Sequence, residues 1–211
     1  MATNPQRSTA SNAALKYLLF ASLAVVLPMV VWVDERFWFD SADPHALRVA
    51  PFRTLLAFHG LTGVTVLITG TLQMSRRIRT QRPALHRALG TVYLLAVLLS
   101  APIALYIGVS KLEPVSIHVQ QIFQAGLWGG SAVIAWVCAR LRQMALHRDW
   151  MIRSYAFTLV FVTSRIPDIF FSHYSDQFIS DELWALTLIA ALTPELINTG
   201  TAIARAASRR R

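Results

Sequence analysis

Residues 88–108 read ALGTVYLLAVLLSAPIALYIG, 21 consecutive positions without a charged side chain. At 1.5 Å per helical residue the run is about 30 Å long, which matches the hydrocarbon thickness of a bilayer. It therefore reads as a membrane span. Working outward, comparable runs bounded by charge fall at about 17–33, 54–74, 118–138, 150–171 and 183–203. The first leaves through Val31-Trp32-Val33-Asp34-Glu35 without a small-residue cleavage site, so it reads as a retained helix and not as a signal peptide.

The whole chain agrees with this reading. Of its 211 residues 55% are hydrophobic and 15% charged, against roughly 25% charged in soluble domains. Mean hydropathy is +0.46. So apolar a chain is not disordered. At about 35 residues per helix and connection it has room for six spans. The expected fold is an all-α polytopic membrane protein with six transmembrane helices, spans two to five (54–171) forming a four-helix core. One integral domain, 17–203, is expected between a cytoplasmic tail, 1–16, and a basic cytoplasmic tail, 204–211. A lone Cys138 excludes an internal disulfide or a thiolate metal cluster.

The net charge of +9 would suggest nucleic acid in a soluble protein, but its placement argues for topology. Segments 1–16, 75–87, 139–153 and 204–211 hold 15 of the 20 Lys and Arg, whereas the alternate connections hold 4 of them and eight of the eleven acidic residues. The positive-inside rule then puts both termini and the arginine-rich loops in the cytoplasm. A multi-pass protein of the bacterial inner membrane is expected, its basic edge facing anionic lipid, with no nucleic-acid partner.

Six histidines remain. His45 and His173 fall in outer connections and read as surface residues. His59 and His118 stand on spans two and four near the outer side; His86 and His147 stand just before spans three and five on the inner side. Both inner histidines sit in Leu-His-Arg, as Leu85-His86-Arg87 and Leu146-His147-Arg148, and Tyr93 and Tyr155 follow seven and eight residues later. This pattern suggests two related helical hairpins in parallel, which pairs His59 with His118 and His86 with His147. Two facing histidines near each surface of a four-helix bundle are the arrangement for axial ligation of two b-type haems. At 100 degrees per residue, Gly63 and Gly70 lie within about 40 degrees of His59, and Gly90 within about 40 degrees of His86. Ala125 and Gly129 share the face of His118, and Ser154 and Thr158 that of His147, each within about 20 degrees. Small residues beside each histidine leave space for a flat macrocycle. The same residues also suit close helix packing, and interfacial histidines also occur as plain hydrogen-bonded residues.

Three charges fall inside apolar runs. Arg165 and Asp168 flank Ile166-Pro167 in span five, and Glu195 follows Pro194 in span six. Each costs about 2.5–3.5 kcal/mol to insert, so each should be paired or functional. In a continuous helix Arg165 lies on the face of His147, about 27 Å further out. There it would bind a haem propionate or an anionic substrate, or pair with Glu195 or Asp168 to lock span five to span six.

The strings Phe58-His59-Gly60, Arg82-Pro83-Ala84-Leu85-His86-Arg87-Ala88-Leu89-Gly90-Thr91-Val92-Tyr93 and His147-Arg148-Asp149-Trp150-Met151-Ile152-Arg153-Ser154-Tyr155-Ala156 resemble an uncharacterised bacterial membrane family, domain of unknown function 2306. Arg165 matches an arginine expected downstream in that family's fifth-helix motif; His118 lies outside the pattern. The resemblance covers about residues 55–170 and implies no settled activity. A looser, architectural likeness to cytochrome b-561 implies the same histidine pairs.

The leading expectation is a di-haem transmembrane electron carrier, with quinone admitted as a partner at either edge and Arg87 and Arg148 neutralising propionates. Membrane oxidoreductase activity is the enzyme class left open. The competing class is a non-redox transporter, lipid-binding or structural membrane protein that uses Arg165, Asp168 and Glu195, with helices broken at Pro167 and Pro194. A third possibility is a small subunit that stabilises a larger complex. No glycine-rich phosphate loop or nucleophile with a base at motif spacing occurs, which argues against nucleotide-driven and hydrolytic chemistry.

Overall fold

The structure, a computed structural model, describes residues 24, 28, 50–110, 114–170 and 175–209. A 3-10 turn, Ala50–Phe52, leads into α1 (Arg53–Gln73). Then follow α2 (Arg76–Gln81), α3 (Pro83–Ser110), α4 (Val115–Arg140), α5 (Met144–Thr163), α6 (Ile166–Phe170) and α7 (Asp176–Arg209). The chain divides into two compact units. One comprises Val49–Ser164 with His173–Arg211 and holds α1 to α5 and α7; the other comprises Met1–Arg48 with Arg165–Ser172 and holds α6.

Local sequence sets the helix ends. Ser75 is extended, and its hydroxyl accepts from Ile78 N at 3.4 Å to start α2. Pro83 opens α3, where the missing N–H has no intrahelical partner to lose. Between α4 and α5 the chain reverses in three residues. Gln143 N donates to Cys138 O at 2.8 Å and Arg142 N to Ala139 O at 3.1 Å, while Arg142 takes φ 60°. These bonds form a Schellman cap with arginine at the left-handed position that glycine usually fills.

In the larger unit α1 packs on α3, α3 on α4, α4 on α5, and α5 on α1, which closes a four-helix ring; α7 lies against α5 and α4. Side-chain bonds fix the register. Tyr93 on α3 bonds Ser154 on α5 at 2.8 Å, and Trp128 Nε1 on α4 donates to Thr158 Oγ1 on α5 at 2.9 Å. Tyr155 on α5 bonds Thr71 on α1 at 2.6 Å. Such hydroxyl and indole pairs suit a membrane core, where unpaired polar groups are costly. Around them Val66, Val97, Ala101, Ala132 and Val160 complete the buried core. A second polar seam joins α4 to α7. Gln120 Nε2 donates to Gln124 Oε1 at 2.6 Å and to Thr187 Oγ1 at 2.7 Å, Ser116 bonds Ser180 at 2.7 Å, and Trp184 Nε1 donates to Ser116 at 3.1 Å.

The chain is thus an all-α polytopic membrane protein. Among the described residues four helices, α1, α3, α4 and α7, are long and apolar enough to cross a membrane. They correspond to the expected spans two, three, four and six. Span one lies outside the described residues. Span five differs: α5 carries Arg148, Asp149 and Arg153 in its first half, and it stops at Thr163 instead of running to 171. The cause is Pro167, which has no N–H to donate and whose ring clashes with the carbonyl four residues back, at Thr163. Pro194 does the opposite of what was expected. It is fully buried, and α7 continues through it unbroken, as α3 does through Pro102.

The core has no slack at Gly70. A Cβ there would lie 2.5 Å from Tyr155 ring carbons and 3.0 Å from Tyr93 Cε2, whereas at Gly126 it would meet nothing within 4 Å. Gly70→Ala should therefore lower unfolding stability by about 1–3 kcal/mol through overpacking, while Gly126→Ala should be neutral or gain up to about 1 kcal/mol from helix propensity. Thermal unfolding of both variants in the same detergent checks this; equal midpoints would mean that Tyr155 is not locked.

Candidate functional site at the basic end of the bundle

His86 is the fourth residue of α3 and His147 the fourth of α5. The helices begin earlier than the apolar runs do, so both histidines lie inside helices. Their equivalence extends along the chain. His86 and His147 are 61 residues apart, as are Arg87 and Arg148, Ala84 and Ala145, and the hydrogen-bonded Tyr93 and Ser154. The two helices therefore start at the same end and run in the same direction, as the parallel-hairpin reading requires.

The two rings lie within electrostatic reach of each other, and His86 also senses Arg79 and Arg87. Their hydrogen bonding differs. His147 Nδ1 lies 2.8 Å from the carbonyl of Ala135 on α4; a carbonyl only accepts, so Nδ1 carries the proton and Nε2 the lone pair. The same backbone contact holds many metal-bound histidines in the tautomer that ligates. His86 Nδ1 is buried and has no hydrogen-bond partner among the described residues. The His86 backbone is held independently, because Gln73 Nε2 at the end of α1 donates to the His86 carbonyl at 2.5 Å.

Seven residues deeper, about 10.5 Å along each helix axis, the Tyr93–Ser154 bond ties α3 to α5. His86 and His147 thus lie one on each of two helices that this bond joins, seven residues from it, with Arg79 and Arg87 within electrostatic reach of His86. Among the described residues no three His, Cys, Asp or Glu side chains converge. Two imidazoles complement a metal centre that brings its own equatorial ligands, as an iron porphyrin does. One ring is anchored through Nδ1 to a backbone carbonyl, and the other has a buried nitrogen without a partner among the described residues.

The outer histidines are placed differently. His59 on α1 meets Ser100 of α3 through Nδ1, at 2.9 Å from the hydroxyl and 3.3 Å from the carbonyl, and lies edge-on to Phe161 with centroids 5.6 Å apart. Phe161 in turn packs on Trp128 at 4.9 Å. His118 is the half-buried fourth residue of α4. Most small residues expected to leave space are taken by protein atoms. Gly70 faces the two tyrosine rings and Gly90 the Gln73 amide, with only Gly63 open; Ser154 and Thr158 bond Tyr93 and Trp128.

Of the charges inside the apolar runs, Glu195 is paired, but with Arg153. Both Nε, at 2.8 Å, and Nη2 donate to Oε1, and the guanidinium lies 4.8 Å over the Trp150 ring. This pair locks α5 to α7. Arg165 is exposed in the turn after α5, so a helical phase counted from His147 does not reach it. Asp168 is the third residue of α6. At the basic end Arg148 pairs with Asp149 at 3.8 Å and Arg87 is exposed. Sequence reasoning missed Gln73, Arg79, Arg153 and the Ala135 carbonyl. Arg153 alone had a signal, its place in the Met-Ile-Arg-Ser string.

These features define a multi-pass helical membrane protein in which His86 and His147 lie within electrostatic reach of each other. The chain belongs to the family described as predicted membrane protein DUF2306, whose model matches residues 56–199. The match includes His59, His86, His118 and His147 and the Arg153–Glu195 pair. No curated relative and no solved structure matches it.

The Glu195 side chain is half-exposed, so the ion pair should contribute little beyond register. A double-mutant cycle with Arg153→Gln and Glu195→Gln, read by unfolding in detergent, should give a coupling of about 0.5–1 kcal/mol. A coupling near zero would assign the α5 and α7 contact to the apolar and polar seams alone.

Proposed function

We propose that this protein is a membrane electron carrier that holds haem b at its basic end, with His86 and His147 as the axial ligands. The observation that carries the reading is the pair itself: His147 is anchored through Nδ1 to Ala135 O at 2.8 Å, and it lies within electrostatic reach of His86, whose buried Nδ1 has no partner among the described residues. Haem b with imidazole in both axial positions exchanges single electrons and leaves no position open to substrate. Arg87 and Arg148 are the cations available to its carboxylates. The Tyr93–Ser154 bond sets the depth of the site and excludes water from below.

The proposal has two further parts. By the positive-inside rule the basic end is cytoplasmic, with six spans in the inner membrane and both termini inside. A second haem would be held by His59 and His118, with the Ser100 contact fixing the His59 ring and quinone or a soluble redox protein exchanging electrons at either face.

A reduced-minus-oxidised visible spectrum of the purified full-length protein from haem-replete cells tests this. A low-spin bis-imidazole spectrum is expected. His86→Ala and His147→Ala should each remove the same species, and His59→Ala or His118→Ala a different one. A haem-free preparation would falsify the reading, and a spectrum unchanged in His86→Ala would reassign the ligands.

A further inference from the structure

The arginines at the basic end are not equivalent. Arg140 lies 5.7 Å over the Trp136 ring, Arg148 reaches Asp149 at 3.8 Å, and Arg153 is held by Glu195 and Trp150. The short helix α2 and the residue after it carry Arg76, Arg77, Arg79 and Arg82, all exposed. None of these four has a carboxylate within ion-pair distance among the described residues; Arg77 alone has a side-chain bond, to Gln81 Oε1 at 3.1 Å. Folding thus gives the cations of α4 and α5 an anion or an aromatic face and leaves the three on α2, with Arg82, without an anion among the described residues.

The residue type adds a second argument. Every cation in 75–87 and 139–153 is arginine, and the two lysines of the chain, Lys16 and Lys111, lie elsewhere. A topology signal needs only positive charge, which lysine supplies equally. Arginine differs in its planar fork, which meets phosphate oxygens in pairs. The surroundings are apolar: Met74 and Leu85, on either side of α2, are each 39% exposed, and Leu141, Met144 and Leu146 are also exposed at this end. A small soluble anion has no use for such a collar, whereas a molecule with a phosphate head and an acyl tail matches both parts.

We propose that α2 and Arg82 form a binding site for an anionic phospholipid, its headgroup phosphate held by Arg76, Arg79 and Arg82 and an acyl chain lying along Met74 and Leu85. The site stands apart from the histidine pair and does not require haem. It adjoins that pair through Arg79, so a bound phosphate also changes the field at His86.

The test uses the full-length protein in neutral detergent with an equimolar mixture of phosphatidylglycerol and phosphatidylcholine, retained lipid being read by mass spectrometry of the intact protein. Cationic side chains near a membrane surface each favour anionic lipid severalfold. An enrichment of phosphatidylglycerol of about fivefold or more is therefore expected, falling to parity in R76Q/R79Q/R82Q and persisting in R140Q/R142Q. Enrichment that survives the triple substitution, or is lost from R140Q/R142Q, overturns the proposal. Displacement of the lipid by millimolar inorganic phosphate also overturns it, because the site would then bind free phosphate. If circular dichroism shows the triple variant unfolded, R76Q and R82Q are read singly, each expected to lower the enrichment about twofold; no change in either would reject the site.

Discussion

The bond between Tyr93 and Ser154 joins α3 to α5, the two helices that carry the paired histidines. In hydrocarbon a hydroxyl has no water to fall back on, so each finds a protein partner or costs free energy. Tyr93 meets this need across the bundle, and Thr158 passes the link on to the indole of Trp128 on α4. Tyr155 does the same toward α1 through Thr71. The four core helices are therefore held at one mutual register by side chains that have no better partner. The level of His86 relative to His147 follows from that register.

The polar core also explains why the site lies at the end of the bundle. Midway through the membrane the space between helices is filled by Tyr93, Trp128, Tyr155 and Phe161, packed over small residues such as Gly70 and Ala101. The arginines gather at the same end because charge that cannot enter hydrocarbon collects where the helices emerge.

Much of this was legible in the chain. The uncharged run at 88–108 and its counterparts gave four of the helices, because span length is set by bilayer thickness and is read directly from composition. The Leu-His-Arg repeat gave the inner pair, since two hairpins of similar sequence fold alike. Less legible was the break after Thr163: Pro167 marked it, yet the same residue type at 102 and 194 leaves its helix unbroken. Proline removes one bond in every case; whether the helix stops depends on what surrounds it. Small residues were misread for a related reason, because Gly70 and Gly90 describe only their own side of a contact. Tyr155 and Gln73, which fill the space opposite, come from distant parts of the chain.

Sequence by itself determined the solvent, the class of fold and the uneven distribution of charge between connections, and it singled out two histidines that the fold brings within electrostatic reach. Each of these depends on a property of single residues or of short windows: transfer cost, helical rise, charge. Tertiary structure alone decided that Glu195 takes Arg153 as its partner, that His147 is anchored by a backbone carbonyl of α4 while His86 is left with an unmet nitrogen, and that α2 keeps its arginines unneutralised. Partner choice among polar groups is settled by a few ångströms of register between helices, and that register is a sum over all their contacts, which no local pattern contains.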